Sequence, residues 1–312
     1  MFFIAVVSKA KKEYIQMNEV AHANEKSSFK KVLDETMDSH ELLQLEEEQR
    51  YESFPEEKKE TTGQIVSKTQ DGIPVSKTRT LDEMQILINE QIAKVSAVSR
   101  GNTPSKNPTD VEETKKLQDL AREIVLARYG PEPYQLEIEL EFPTTMPDFE
   151  IFGPTGKFTI EMAPLKDVPY SVYIFLEVMR TFKTGAFHRM AGHVTQALVR
   201  TTKEGPSGMA FQEYSPNFPH VKRSLGYAGR PGGPEFYISL VDNTFNHGPG
   251  SQGSKTEADG CFAHVIEGWE DTIEKRLKKQ PGGNPKTGGF IGDNKNFIRI
   301  KSITMKSHLA TS

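Results

Sequence analysis

The sequence predicts a mainly β fold: a closed antiparallel barrel capped by helices, behind a polar, partly helical N-terminal region. Three observations predict it. Composition shifts near residue 130, from a stretch rich in Lys, Glu, Gln, Ser and Thr to one rich in apolar and aromatic residues. From Tyr134 onward, short apolar or alternating segments follow one another, separated by Gly, Pro and Asn. Two segments of helical periodicity interrupt that series. Many short strands with two helices fit a closed barrel with helical caps.

The N-terminal part, residues 1–130, reads as helices joined by disordered linkers. "HELLQLEEEQRYESFPEEKKETTGQ" has a short apolar face, Leu42, Leu43 and Leu45, then a charged run ended by Pro55; a solvated helix followed by disorder is the plain reading. A firmer helix spans about 81–99. Leu81, Met84, Ile88, Val95 and Val98 fall at three- and four-residue steps with Gln91 among them, and Thr80 with Glu83 forms a capping box. Its stripe is under three heptads long, which leaves a packing helix and a coiled-coil-like contact with a partner both open. "SRGNTPSKNPTD" is a linker. Asp110 caps a helix over about 110–129, with Leu117, Leu120, Ile124 and Leu126 apolar and Gly130 at its end.

The barrel is expected over 131–306, with a tail at 307–312. "YQLEIELEF" alternates, Leu136, Ile138, Leu140 and Phe142 against Glu137, Glu139 and Glu141, as a half-buried strand does. "GKFTIEMAP" follows the turn "GPTG" as a second strand. In "KDVPYSVYIFLEVMRTF", Asp167 and Pro169 mark a helix start and Val172, Phe175, Leu176 and Met179 a buried face. "AFHRM", "HVTQALV", "GMAFQEY", "SLGYA", "EFYISLV", "CFAHVIEG" and "FIRIKSITM" are further strand candidates. "GWEDTIEKRLKK" carries Trp269, Ile273 and Leu277 at helical spacing.

Charge and cysteine usage narrow the function. The net charge of −4 draws the chain neither to nucleic acid nor to anionic membrane. The single cysteine, Cys261, forbids an internal disulfide and reads as a buried strand residue. The cytoplasm fits this usage, although a disulfide-free secretory protein fits it too. No run of about 18 apolar residues marks a membrane helix. "MFFIAVV" lacks the features of a secretory signal, but a membrane anchor cut short would begin the same way.

Four stretches in order, "GKFTIEMAPLKDVPYSVYIFLEVM", "FHRM", "GGPEFYISL" and "CFAHVIEGWEDTIEK", resemble the cyclophilin-type peptidyl-prolyl isomerases, over about residues 134–306. The resemblance implies an eight-stranded barrel with two capping helices, proline-containing peptides or proteins as partners, and no cofactor. It places Arg189 beside the bound proline as the catalytic group and Gln196 beside it, bonding substrate backbone and steadying the arginine. It gives Phe187, His193, Val194, Tyr227, Ala228, Glu235 and Tyr237 to the substrate-binding surface. Rotation about an X–Pro bond is opposed by ~18–20 kcal/mol of amide resonance. A guanidinium aimed at the nitrogen binds the twisted amide better than the planar one, and only such differential binding lowers the barrier.

The sequence departs from that family at the pocket. A Phe-Met pair becomes His193 and Val194, a phenylalanine becomes Tyr237, a glutamine becomes Glu235, and an Ala-Asn-Ala run becomes Gly226, Tyr227 and Ala228. A Trp-containing loop is rewritten, with the tryptophan place near Ser254 and a histidine place near Asp259. Two functions from different classes follow: a prolyl isomerase of altered preference, and a catalytically weak peptide-binding module whose helix at 81–99 contacts a partner. By strand alternation His188 points away from Arg189 and is structural, and its five-residue spacing from His193 suits no metal site. "GPGSQGSK" lacks the Gly-Lys-Ser/Thr ending and following helix of a phosphate loop.

Overall fold

The computed structural model describes residues 79–98, 108–251 and 257–306. The expectations for residues 1–78, for most of the linker, for Ser254 and for the tail lie outside these. Everything described below lies within one compact unit, residues 81–312.

That unit begins with α1 (Leu81–Val98) and α2 (Pro108–Tyr129). Next come β1 (Gln135–Glu141), a turn of helix α3 (Phe149–Phe152), β2 (Thr155–Met162), α4 (Pro169–Thr181), β3 (Phe182–Met190) and β4 (Val194–Thr201). After β5 (Ser224–Gly229), β6 (Gly232–Ser239) and a helical turn α5 (Thr244–His247), β7 (Cys261–Glu267) and β8 (Ile298–Met305) complete the order. The eight strands form the closed antiparallel barrel that the sequence predicts, in the order β1-β2-β7-β5-β6-β4-β3-β8. Alternation explains the wall. On β1, Leu136, Ile138 and Leu140 are buried, while the glutamates between them face outward, where Glu139 takes Lys301 at 2.7 Å.

The helix at 169–181 is found as expected, with Pro169 in its first turn. Its capping differs. Asp167 accepts from Asn217 Nδ2 at 2.9 Å, and the helix start is satisfied from a distance. Glu213 accepts from the Ser171 N–H at 2.6 Å, the Tyr170 N–H at 3.4 Å and Gln118 Nε2 at 2.8 Å. A carboxylate at a helix N-terminus meets both free N–H groups and the positive end of the dipole. This corrects the strand expected at "GMAFQEY". Residues 208–214 are irregular, with 209–213 buried, because their polar groups are satisfied by α4 and α2 and by single contacts such as Met209 N–H to Gly232 O at 2.8 Å. Phe211 stacks on Tyr170, ring centroids 5.3 Å apart. The segment "GWEDTIEKRLKK" forms a π-helical turn, Trp269–Glu274, then a 3-10 turn, Leu277–Lys279, with Trp269, Ile273 and Leu277 buried as the spacing predicts.

Met84, Ile88, Gln91 and Val95 form the buried face of α1, which packs on α2 as a hairpin within the chain. Gln91 Nε2 donates to Glu113 O at 2.8 Å and to its carboxylate at 2.6 Å. On α2 the buried residues are Thr114, Leu117, Ala121, Ile124 and Val125, while Leu126 is 42% exposed. The helix starts at Pro108, so Asp110 lies within its first turn rather than at its cap. Arg128 pairs with the buried Glu177 of α4, and Arg122 Nη2 donates to Leu165 O at 2.8 Å, which ties the hairpin to the barrel. Among the described residues no helix is long and apolar enough to cross a membrane.

Candidate functional site

The site residues meet on the outer wall where β3, β4, β6 and β5 lie side by side. Register sets Arg189 opposite Gln196, Gln196 opposite Tyr237, and Tyr237 opposite Gly226, one row across four strands. Strict alternation would put Phe187 and Arg189 on one face. A bulge between them resolves the conflict: Phe187 pairs with Ala197 and Arg189 with Gln196, so the extra residue, His188, shifts the strand by one. Phe187 and Ala197 enter the core, and Arg189 and Gln196 go outside.

Arg189 is held from three sides. Its Nε donates to Gly288 O at 2.8 Å, its Nη1 donates to Gln196 Oε1 at 2.8 Å, and its guanidinium lies 4.8 Å over the Phe290 ring. Gln196 Nε2 donates in turn to Glu235 Oε1 at 2.6 Å. The amide of Gln196 is therefore oriented by a donor on one side and a carboxylate on the other. His188 Nε2 also lies 3.1 Å from Glu235 Oε1, off the line of a hydrogen bond, and its ring packs 5.6 Å from Phe290. This corrects the expectation that His188 points away from the arginine: the bulge breaks the alternation on which it rested.

Beside this row lies a buried polar cluster. Tyr237 is 2% exposed; the His247 ring stacks on it with centroids 4.4 Å apart. His220 Nε2 lies 2.8 Å from Asp259 O, and a carbonyl only accepts, so Nε2 carries the proton. His220 Nδ1 is then the acceptor for the Tyr237 hydroxyl at 3.2 Å. Asp259 takes His247 Nδ1 at 2.6 Å and Arg230 Nε at 2.6 Å. Burial pushes the Asp259 carboxyl up, but the His247 hydrogen bond and the charges of His247 and Arg230 outweigh it and hold it below its ordinary value. Burial pushes His220 down to about 4, and pushes the Tyr237 phenol well above its ordinary value. His193 donates from Nδ1 to Ala191 O at 3.1 Å and stacks 5.5 Å from His247; burial lowers its pKa.

The structure thus brings Arg189, Gln196, Glu235, Tyr237 and His193 together. Val194 stands next to them but is buried, and Ala228 is half-buried on β5, two residues beyond Gly226. Phe187 and Tyr227 are corrections. Both have no exposed surface: Phe187 packs edge-on to Phe236 at 6.1 Å, and Tyr227 stacks on Phe262 at 4.3 Å and donates to Ser171 O at 2.8 Å. They belong to the barrel core because their strand positions alternate inward. Asp259, placed by sequence near a histidine position, does reach the cluster. His220, His247, Arg230, Gly288 and Phe290 are not picked out by the sequence reading. Only His247 carries a signal there, its place just before the Gly-Pro-Gly of the rewritten loop.

Two cavities lie elsewhere, and neither is lined by Arg189, Gln196 or Tyr237. One of about 110 Å³ is bounded by Phe142, Lys295 and Phe297; one of about 250 Å³ by Gln85, Tyr173 and residues 204–208. The candidate site is a polar surface row over a filled cluster, not a deep hole. No protein-family model matches the chain, and a search of curated proteins finds no match.

Proposed function

We propose that this chain is a cyclophilin-like peptidyl-prolyl cis–trans isomerase, with Arg189 stabilising the twisted amide and Gln196 holding Arg189. The cross-strand row of Arg189, Gln196 and Tyr237 carries the reading: three residues named from separate stretches are direct neighbours on one outer face. The bonds from Gly288 and Gln196 fix the guanidinium before a substrate arrives, so less ordering is needed at the reaction. A hydrogen bond from a charged donor is worth ~1.5–3 kcal/mol, roughly ten- to hundredfold in rate. The reaction makes and breaks no covalent bond and asks for no cofactor.

One observation favours a second reading, a weakly catalytic peptide-binding module. Tyr237, the aromatic face on which a proline ring would rest, is 2% exposed beneath His247. A peptide would have to move that ring or bind across the row without deep burial.

Exchange NMR on an Xaa-Pro peptide series with the full chain, wild type beside Arg189→Ala, separates the two. Catalysed exchange that falls at least tenfold in the variant supports the isomerase. Peptide binding at Arg189 without exchange supports the module. Exchange that is unchanged in Arg189→Ala overturns the assignment.

A further inference from the structure

We infer that Glu235 makes this surface selective for peptides carrying a lysine or arginine next to the proline. The inference rests on the peptide-binding reading above. Glu235 sits on β6 at the end of the chain of contacts Arg189–Gln196–Glu235. Its Oε1 is used, by Gln196 Nε2 at 2.6 Å with His188 Nε2 at 3.1 Å. Its Oε2 takes no hydrogen bond from the described residues, and the side chain is 22% exposed.

The geometry makes this oxygen a recognition group rather than a spare ion. The carboxylate cannot swing away freely, because Gln196 holds one oxygen and the bulged strand packs His188 against it. Its free oxygen is therefore fixed at the margin of the row. Two residues along β6, about 7 Å away, is Tyr237. That separation suits the side chain of a residue flanking the proline. An ammonium or guanidinium is the complement of a fixed, partly exposed carboxylate. A flanking Asp or Glu meets like charge there, so the surface discriminates by repulsion as well as attraction. Asp259, the other nearby carboxylate, is taken up by Arg230 and His247 and is 2% exposed, so it does not compete.

The test uses the full chain and three peptides identical except for Lys, Ala or Glu before the proline. Binding is followed by NMR titration and isomer exchange on the same samples, at low and high salt. A partly exposed pair gives a preference of roughly fivefold for Lys over Glu at low salt, shrinking as salt rises. Glu235→Gln abolishes the Lys-over-Glu preference, read as the ratio of affinities within the peptide series whatever the overall affinity of the variant. Equal affinity across the series, with resonances near Arg189 shifting on binding, overturns the Glu235 inference and leaves the proposed function standing. A preference that survives in Glu235→Gln also overturns it. If no peptide binds or exchanges, the proposed function fails, and this inference with it.

Discussion

The phenol of Tyr237 fills the space that a side chain at Gly226 would need. The two are register partners on β6 and β5; a Cβ on residue 226 would stand 2.5 Å from Tyr237 Oη, 2.6 Å from its Cζ and 2.9 Å from His220 Cε1. The glycine and the tyrosine are thus two halves of one accommodation. Gly226→Ala forces the ring or the strand to move and costs about 1–3 kcal/mol. Thermal unfolding checks this, and an unaltered melting temperature would show that the contact yields without strain.

His220 stays neutral well below ordinary pH. Burial is the main cause of its pKa of about 4, against an ordinary 6.5. Between those values the unfolded chain binds a proton that the folded chain refuses. The stabilisation is complete above pH 6.5, is lost as pH falls, and levels off near 4; it amounts to on the order of 3 kcal/mol. Nitrogen-15 shifts at pH 5 should report a neutral ring protonated on Nε2. An imidazolium signal at that pH would contradict the hydrogen-bond assignment.

Glu213 has the opposite sign. Burial pushes its carboxyl up, partly offset by the Ser171 and Gln118 hydrogen bonds. Its folded pKa lies above the ordinary 4.5, so its contribution is full below that value and declines as pH rises through the raised one. Glu213→Gln keeps an acceptor for the Ser171 N–H and removes the titration. Urea midpoints against pH should then differ from wild type by a curve that climbs with pH. A difference that is flat across the range would rule out a titrating Glu213.

The helical hairpin should unfold with the barrel. Ile88 has no exposed surface, and the hairpin is tied to α4 through Arg128 and Glu177. Ile88→Ala should cost about 2–5 kcal/mol and lower a single transition seen by both helix and aromatic signals. Two separate transitions would mean that the hairpin is an independent unit.

What the sequence makes legible is what local pattern controls. The glutamate alternation of β1 and the Pro169 start of α4 need no knowledge of the rest of the chain. Residues 208–214 mislead because a buried apolar run looks the same whether its polar groups meet a neighbouring strand or a helix N-terminus. The Arg189–Gln196 pair is legible through the resemblance. The cluster around Tyr237 is not, because His220, His247 and Asp259 are brought together by loops, and spacing along the chain holds no record of that. Phe187 is misassigned for a related reason: a bulge is a property of two paired strands, and one strand read alone does not display it.

The residue added to β3 at His188 reaches beyond the placement of one arginine. It acts as a phase shifter between the inside and the outside of the barrel. From Thr184 to Phe187 the strand keeps time with the core; from Arg189 it keeps time with the surface. Packing and recognition are thereby decoupled within one short strand. With His188 kept and the bulge ironed out into regular pairing, Arg189 would fall on the face of Phe187 and a guanidinium would turn inward.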